Sequence, residues 1–291
     1  MSTSAGDPRP DAFRMAASRG VIYVLLVLVA ATALLPIGYM LAISTGGPDP
    51  AAPLMEGGPG ETADRIGENF GHVLTDESTN FPLYLRNTLW IALLGVTGTT
   101  ISSAVVAYGF SRVRWRGRGT AFIVMLSTMM IPFPVVMVPL FTMFREIGWI
   151  GTFAPLWVPA WFGNAFSIFL LRQFFLTIPR ELDDASRIDG CGHVRNFIHV
   201  ILPLSIPALL VVALFHFMFV WNDFLGPLVF LTHREQFTLA LGLQLFLSKL
   251  GQTPWNLLMA ATTVMVAPVL VLFLLMQRTF VEGISTAGSK G

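Results

Sequence analysis

The chain has 291 residues, of which 54% are hydrophobic and only 12% charged, and its mean hydropathy is +0.68. Soluble domains carry about 25% charged residues, so this composition predicts a protein that crosses a membrane several times. A net charge of +1 excludes the strong basic field typical of nucleic-acid binding, the single cysteine excludes an intrachain disulfide, and the five histidines lack the paired spacing of a metal site.

Six apolar runs predict six transmembrane helices, and the expected fold class is therefore all-α. In lipid the backbone polar groups of a segment must be paired internally, which favours a helix for each run. The expected spans are residues 21–43, 85–110, 120–144, 153–175, 204–225 and 256–276. The first run could instead be a signal peptide, because a Gly- and Pro-rich stretch follows it, although it is long for a signal peptide.

The distribution of arginine and lysine predicts the orientation of these spans. With the N-terminus inside, thirteen of the 18 basic residues fall in inner segments, four of them in "SRVRWRGRG" (111–119), which is interpreted as a topology anchor. Both termini are therefore expected in the cytoplasm of a cell-membrane protein. The chain is expected to consist of an N-terminal tail (1–20), a first helix (21–43), an outer loop (44–84), a core (85–277) that includes a loop at 178–203, and a C-terminal tail (278–291).

The outer loop, residues 44–84, combines two kinds of sequence. Its first part, "TGGPDPAAPLMEGGPG", is rich in Gly and Pro and predicts a flexible excursion. The second part, "TADRIGENFGHVL", predicts a short amphipathic helix on the outer membrane face. The loop is either simply solvated or meets an extracytoplasmic partner.

The loop between the fourth and fifth spans, "IPRELDDASRIDGCGHVRNFIHVILPLSIPA" (178–208), is the most charged part of the chain. Three acids follow Pro179, where the dipole of a starting helix favours negative charge. Leu182, Ala185 and Ile188 then form a narrow apolar stripe, Gly190 and Gly192 permit a sharp turn, and a second apolar stripe begins at Val194. The sequence therefore predicts two short helices joined at a glycine elbow. Acids rather than basic residues on the first helix favour a protein partner over a lipid surface.

This loop resembles the EAA loop of ATP-binding-cassette importer permeases, whose pattern is E-A-A-x-x-x-G followed by I-x-L-P. Asp184, Ala185, Ser186 and Gly190 occupy the E, A, A and G positions, and Leu202 and Pro203 belong to the closing motif. An aspartate in place of the glutamate and a serine in place of the second alanine are departures from the pattern. The stretches "LRNTLWIAL" (85–93), "FVWNDFLGPLVFL" (219–231) and residues 257–291 resemble the carbohydrate-uptake branch, of the maltose-permease-G type.

The resemblance implies a sugar importer in which this chain forms the pathway with a second, homologous permease. It further implies two copies of a cytoplasmic ATPase, which bind ATP and Mg²⁺ in place of this chain, and an external solute-binding protein. No nucleic acid and no metal are expected, and this chain is not expected to be an enzyme. A rival with the same architecture carries glycerol-phosphate or a polyol. An ion-coupled transporter would need intramembrane carboxylates, of which the sequence offers only Asp223, and an enzyme would need clustered catalytic groups, of which the sequence offers none.

Two sets of candidate site residues follow. For coupling to the ATPase, the acids are expected to meet basic residues of the partner, Gly190 to supply the turn, and small residues to keep the helix slim; the set is Glu181, Asp183, Asp184, Ala185, Ser186, Gly190, Leu202 and Pro203. For the substrate path, polar and aromatic residues in or beside the spans are candidates: Asn164, Trp221, Asn222 and Asp223. Interfacial belting and helix contacts are alternative explanations for this second set.

Overall fold

A computed structural model describes residues 9–47, 59–76, 79–247 and 253–288, and in these ranges it contains helices and no strand. The all-α prediction is thereby confirmed. The start of the N-terminal tail, most of the Gly- and Pro-rich stretch and the last three residues lie outside the described residues. The α-helices are α1 (Arg9–Ser44), α2 (Pro59–Thr75), α3 (Phe81–Ser111), α4 (Arg118–Ser127), α5 (Phe133–Glu146), α6 (Ala154–Trp157), α7 (Ala165–Thr177), α8 (Glu181–Ile188), α9 (His193–Asn196), α10 (Leu202–Leu204), α11 (Ile206–Asn222), α12 (Leu225–Phe230), α13 (Leu239–Gly242) and α14 (Trp255–Gly288).

Among the described residues, four helical segments are long and apolar enough to cross a membrane: Arg19–Ser44, Phe81–Ser111, Ala154–Thr177 and Trp255–Gln277. Two bent pairs raise the count to six if each pair is one span, and these are Arg118–Met130 with Phe133–Glu146 and His193–Leu204 with Ile206–Asn222. The six predicted runs correspond to these six segments. The third and the fourth, however, are not the continuous helices that the sequence predicted.

The third predicted span is broken at Pro132. The chain bends by 96° between Met130 and Phe133, and Ile131 is extended, as expected for a residue that precedes proline. The fifth predicted span, residues 204–225, corresponds to α11, and a 78° bend at Ser205 separates this helix from the helical turns before it. Prolines remove helical hydrogen bonds, which explains both breaks.

The fourth predicted span is also interrupted, by a 3₁₀ segment, Val158–Phe162, and by Gly163 with a φ of +90°. Hydroxyl groups of α3 compensate for the lost helical pairing. Ser102 Oγ donates to the Ala160 carbonyl at 3.2 Å, and the Asn164 N–H donates to Ser103 Oγ at 3.3 Å. Irregular backbone at membrane depth is tolerated where neighbouring side chains satisfy it in this way.

The chain divides into two compact units, residues 1–73 with 248–263 and residues 74–247 with 264–291. In the smaller unit, α2 is the amphipathic helix that the sequence predicted. The Asn69 amide donates to the carbonyls of Ser44 and Gly46 at 2.9 and 3.1 Å, and Asn256 donates to Asn69 Oδ1 at 2.8 Å. A single buried asparagine therefore links α2 to the end of α1 and the start of α14.

The larger unit is organised around α3. Its buried residues are mostly small, and they include Gly95, Gly98, Ser103, Ala104 and Ala107. Small residues let helix backbones approach closely, which is the usual basis of packing between membrane helices. A Cβ at Gly98 would lie 2.4 Å from Trp161, so the indole fills the space that a side chain would need. The largest apolar cluster lies nearer the C-terminal end of α3 and brings together residues of α7, α11 and the charged loop.

Candidate functional site

The charged loop has the two-helix form that the sequence predicts. Helix α8 ends at Ile188, and Gly190, with a φ of +78°, turns the chain before α9 begins at His193. Helix α9 continues through a π-helical turn, Phe197–Ile201, into α10. The left-handed conformation at Gly190 explains why glycine occupies the elbow.

The loop is fixed to the larger unit by a buried ion pair between Arg112 and Asp183. Arg112 Nη1 lies 2.6 Å from Asp183 Oδ2, with side-chain exposures of 3% and 12%. Arg112 Nη2 donates to the carbonyl of Ile178, at 2.7 Å, and to that of Phe175. One guanidinium at the end of α3 thus holds both the end of α7 and the start of α8.

Asn196 joins the two helices of the loop. Its amide donates to Asp183 Oδ1 at 2.7 Å and to the Tyr108 hydroxyl at 3.3 Å. Ser186 Oγ lies 3.0 Å from Asn196 Oδ1, to which it donates, and 2.9 Å from the Asp183 carbonyl. Both carboxylate oxygens of Asp183 are therefore used inside the chain, in a network where buried polar groups satisfy one another.

This geometry corrects the expected orientation of α8. Asp183 was expected to face a partner's basic residues, but it is buried against Arg112. Ser186 was expected to keep the helix slim enough to enter a partner's cleft, but it is also buried. Glu181, Asp184 and Ala185 are exposed instead. The Asp184 carboxylate lies 3.7 Å from Arg187, a solvent-exposed pair of the kind that contributes little stability.

The first apolar stripe of the loop points outward, contrary to the usual burial of such stripes, and the second is divided, since Val194 and Ile198 are exposed while Phe197 and Ile201 pack into the core. The exposed fractions are 87% for Ile188, 72% for Val194, 48% for Ile198 and 40% for Leu182. Leu202 and Pro203 lie in α10, directly after the fully buried Ile201. The loop consequently presents an outer face that mixes acids with unburied apolar side chains. We call this set the charged-loop face; its members are Glu181, Leu182, Asp184, Ala185, Ile188, Val194 and Ile198.

The candidate path residues each have their own hydrogen-bond partners within the chain. Trp221 is a core residue, 1% exposed, and its indole donates to the Met265 carbonyl at 3.1 Å. The Asn222 amide donates to the Met218 carbonyl at 2.8 Å, and Asp223 Oδ1 accepts from the Gly226 N–H at 3.0 Å. Asn164 caps α7 by accepting from the Ser167 N–H at 3.1 Å. Among the described hydrogen bonds, none joins Asn164 to the other three.

Sequence reasoning missed Arg112, Tyr108 and Asn196. Arg112 belongs to the basic run that was interpreted as a topology anchor, and its position at the end of an apolar helix resembles an ordinary interfacial arginine. Asn196 could have been recognised in the sequence as a contact between the two helices, since it is an amide within a short amphipathic helix that faces α8. Within the described ranges, no three His, Cys, Asp or Glu side chains are grouped as a metal site would need.

Comparisons with known proteins agree with this architecture. A family model described as "Binding-protein-dependent transport system inner membrane component" matches residues 99–286. The trehalose/maltose transport system permease protein MalG of Thermococcus litoralis is 34% identical over 268 residues, which cover 91% of this chain and 94% of that protein. The sn-glycerol-3-phosphate transport system permease protein UgpE of Yersinia pestis bv. Antiqua is 32% identical over 222 residues, which cover 75% of this chain and 79% of that protein.

One solved structure has a similar fold. It is a chain from a bacterial ABC transporter involved in the import of the acidic polysaccharide alginate, with a TM-score of 0.75 over 95% of this chain and 99% of that one. Sequence identity is 24%, so this likeness concerns the fold alone.

Proposed function

Because the chain belongs to the family of inner membrane components of binding-protein-dependent transport systems, we propose that it is the permease subunit of an ATP-driven sugar importer. The proposed cargo is a di- or oligosaccharide. The chain would form the translocation pathway together with a homologous second permease. An extracytoplasmic solute-binding protein would deliver the sugar.

The observation that carries this proposal is the charged-loop face. The chain uses Arg112, Asp183 and Asn196 to hold the loop rigidly, yet leaves Ile188 and Val194 largely unburied. Exposed apolar side chains next to acids are typical of a surface that a protein partner covers. The proposed partner is a cytoplasmic ATPase, present in two copies, one for each permease. ATP and Mg²⁺ would be bound by that ATPase.

The coupling roles follow from this placement. Asp184 and Glu181 would meet basic residues of the ATPase, while Leu182 and Ile188 enter an apolar cleft. Asp183 would act from inside, since its carboxylate fixes the angle at which α8 leaves the larger unit. When ATP binding closes the ATPase dimer, a loop held this way would move as one body with α3 and α7. The force would therefore reach the spans without being absorbed by bending of the loop.

The proposed orientation places the loop and both termini in the cytoplasm. It rests on the excess of arginine in the segments assigned to the inner side. Arg114 and Arg116, both exposed beside the loop, would then lie at the headgroups of the cytoplasmic leaflet.

Glycerol-phosphate is the second candidate cargo, because a similar permease carries that name. A phosphate-bearing cargo requires basic groups in the path. Arg86 lines a cavity of about 640 Å³ beside α3 and is one such group. A neutral sugar needs no such charge.

Reconstitution tests the function and separates the two cargoes. The chain is placed in liposomes with its second permease, its ATPase and its binding protein, and a panel of sugars, polyols and glycerol-phosphate is offered. We expect one or more sugars to stimulate ATP hydrolysis and to accumulate inside. Uptake driven by an ion gradient without ATP, or ATP hydrolysis by the isolated chain, would contradict the proposal.

A further inference from the structure

A cavity of about 200 Å³ lies where α7 begins and α11 passes beside it. One polar edge and one aromatic side make up its lining: Asn164, Ser167 and His216, with Phe166, Phe215 and Phe219. No Asp, Glu, Lys or Arg is among these six residues. His216 and Ser167 belong to neither set of site residues predicted from the sequence.

The polar edge has hydrogen-bonding capacity that the chain does not use. Nε2 of His216 is buried without a partner among the described residues, and it packs against α3, where a Cβ on Gly95 would lie 3.1 Å away. Nδ1 is therefore the ring nitrogen left for a ligand. Asn164 uses Oδ1 to accept from the Ser167 N–H, which leaves its Nδ2 to donate.

The depth of the cavity argues against lipid as its occupant. Asn164 lies near the middle of the segment Ala154–Thr177, directly after the break at Gly163, and its side chain is exposed. A polar side chain exposed at that depth is costly against hydrocarbon. It is tolerated where it faces protein or a water-containing path.

The aromatic side presents ring faces and edges to the cavity region. Phe166 and Phe215 are in edge contact with centroids 5.7 Å apart, and Phe219 stacks beside His216 at 5.8 Å. Phe219 is nevertheless 65% exposed. Ligand sites usually combine apolar or aromatic walls with a few polar groups that fix orientation. A pyranose matches that combination, since its ring faces carry C–H groups and its rim carries hydroxyls.

We propose that this cavity is a half-site for one neutral pyranose ring of the passing cargo, with His216 as the residue that determines specificity. His216 Nδ1 and Asn164 Nδ2 bind ring hydroxyls, and Phe219 covers a C–H face. Its volume is below the roughly 300–1,000 Å³ of complete ligand pockets. The remaining wall is therefore supplied by the second permease. This inference rests on the proposed import of sugar and adds where on this chain the sugar is held.

Protection from alkylation tests occupancy directly. A Phe219→Cys variant of the full reconstituted complex is treated with a thiol reagent during turnover, with and without the transported sugar. Peptide mapping by mass spectrometry separates the new thiol from Cys191, the one native cysteine. We expect sugar to slow modification at position 219 at least several-fold. The control is Phe273→Cys, at a 56% exposed position of α14, where sugar should change nothing. Equal rates at 219 with and without sugar would overturn the proposal.

Substitution of His216 tests specificity in a way that a packing role would not mimic. His216→Ala should lower maximal uptake about tenfold or more at saturating binding protein and change the ranking of sugars in the panel. His216→Asn, which keeps a donor and an acceptor, should restore part of the rate. The control His233→Gln, at an exposed position, should match wild type. Unchanged uptake and ranking in His216→Ala would reject the half-site.

The two proposals fail differently. If the wild-type complex takes up no sugar, the proposed function is wrong, and the half-site falls with it. If the wild type imports sugar but the variants at 216 and 219 behave as their controls do, only the half-site is wrong. If glycerol-phosphate is taken up and protects the cysteine at position 219 from alkylation, the half-site is also contradicted, because its lining offers no charge to a phosphate.

Discussion

Nη1 of Arg112 lies 2.6 Å from Oδ2 of Asp183, although the two residues are 71 positions apart in the sequence and both are nearly buried. The pair connects the end of a membrane helix to the start of the charged loop. The other carboxylate oxygen of Asp183 is also paired, since it accepts from the Asn196 amide. The orientation of the charged-loop face therefore depends on Arg112, which lies outside the charged loop.

Arg112→Ala should destabilise the chain strongly. Removing one partner of a buried pair leaves an unpaired charge, which costs roughly 3–5 kcal/mol. We expect a lower apparent melting temperature of the purified full-length chain and faster tryptic cleavage at Arg180 and Arg187. Arg114→Ala removes an exposed arginine two residues away and is the matched control. Equal protease resistance of the two variants would show that the pair does not hold the loop.

Ser186→Ala should be destabilising, even though alanine is the residue that the resembled EAA pattern has at this place. The Ser186 hydroxyl donates to Asn196 Oδ1 and lies against the Asp183 carbonyl. A buried acceptor left without its donor costs about 1–3 kcal/mol. Ala185→Ser adds a hydroxyl at the exposed neighbour and should have little effect. Thermal unfolding of both variants measures the difference, and a neutral Ser186→Ala would contradict the role of this hydrogen bond.

Gly190→Ala should weaken coupling without blocking membrane insertion. Space is not the obstacle, because a Cβ there would meet no atom within 4 Å, but the φ of +78° costs a non-glycine residue roughly 1–2 kcal/mol. We expect more ATP hydrolysed per sugar imported. Gly190→Asn should be milder, since asparagine tolerates this conformation. Gly192→Ala, with a φ of −74°, is the control and should couple normally. Wild-type coupling in Gly190→Ala would reject the elbow as a mechanical element.

Gly98→Ala should disturb the packing of α3 against the interrupted fourth span. The added Cβ would lie 2.4 Å from the Trp161 ring, so the indole or the helix must move. Overpacking of this kind costs about 1–3 kcal/mol. Thermal unfolding measures the loss, and Gly109→Ala on the same helix is the control, because it meets no atom within 4 Å. Partial recovery in the double variant with Trp161→Leu would identify the clash as the cause.

Much of the architecture was predictable because hydropathy acts locally. Apolar runs located the six segments, and the glycine at position 190 located the elbow between α8 and α9. The breaks were less accessible. Proline signals a bend, but whether a span kinks or turns by 96° depends on what its two halves pack against.

The candidate site was harder to predict, for a different reason. A helical stripe of Leu182, Ala185 and Ile188 ordinarily marks the buried face. Here the buried face is the polar one, since Arg112 and Asn196 supply partners for Asp183 and Ser186. Periodicity identifies the two faces of a helix, but it does not identify a counterion supplied by a distant segment. Trp221 illustrates the same limit: its place at the end of an apolar run suggested a membrane interface, and its indole bonds to α14 in the core.

The buried Arg112 also determines which segments have to be exchanged together in chimeras of such permeases. A graft limited to residues 178–203 would carry Asp183 and Asn196 into a host and leave Arg112 and Tyr108 behind. The transplanted carboxylate would then arrive without its cation. The smallest transferable unit is therefore discontinuous and comprises the charged loop and the last turn of α3. Chimeras that exchange both segments together should fold where exchanges of the loop alone do not.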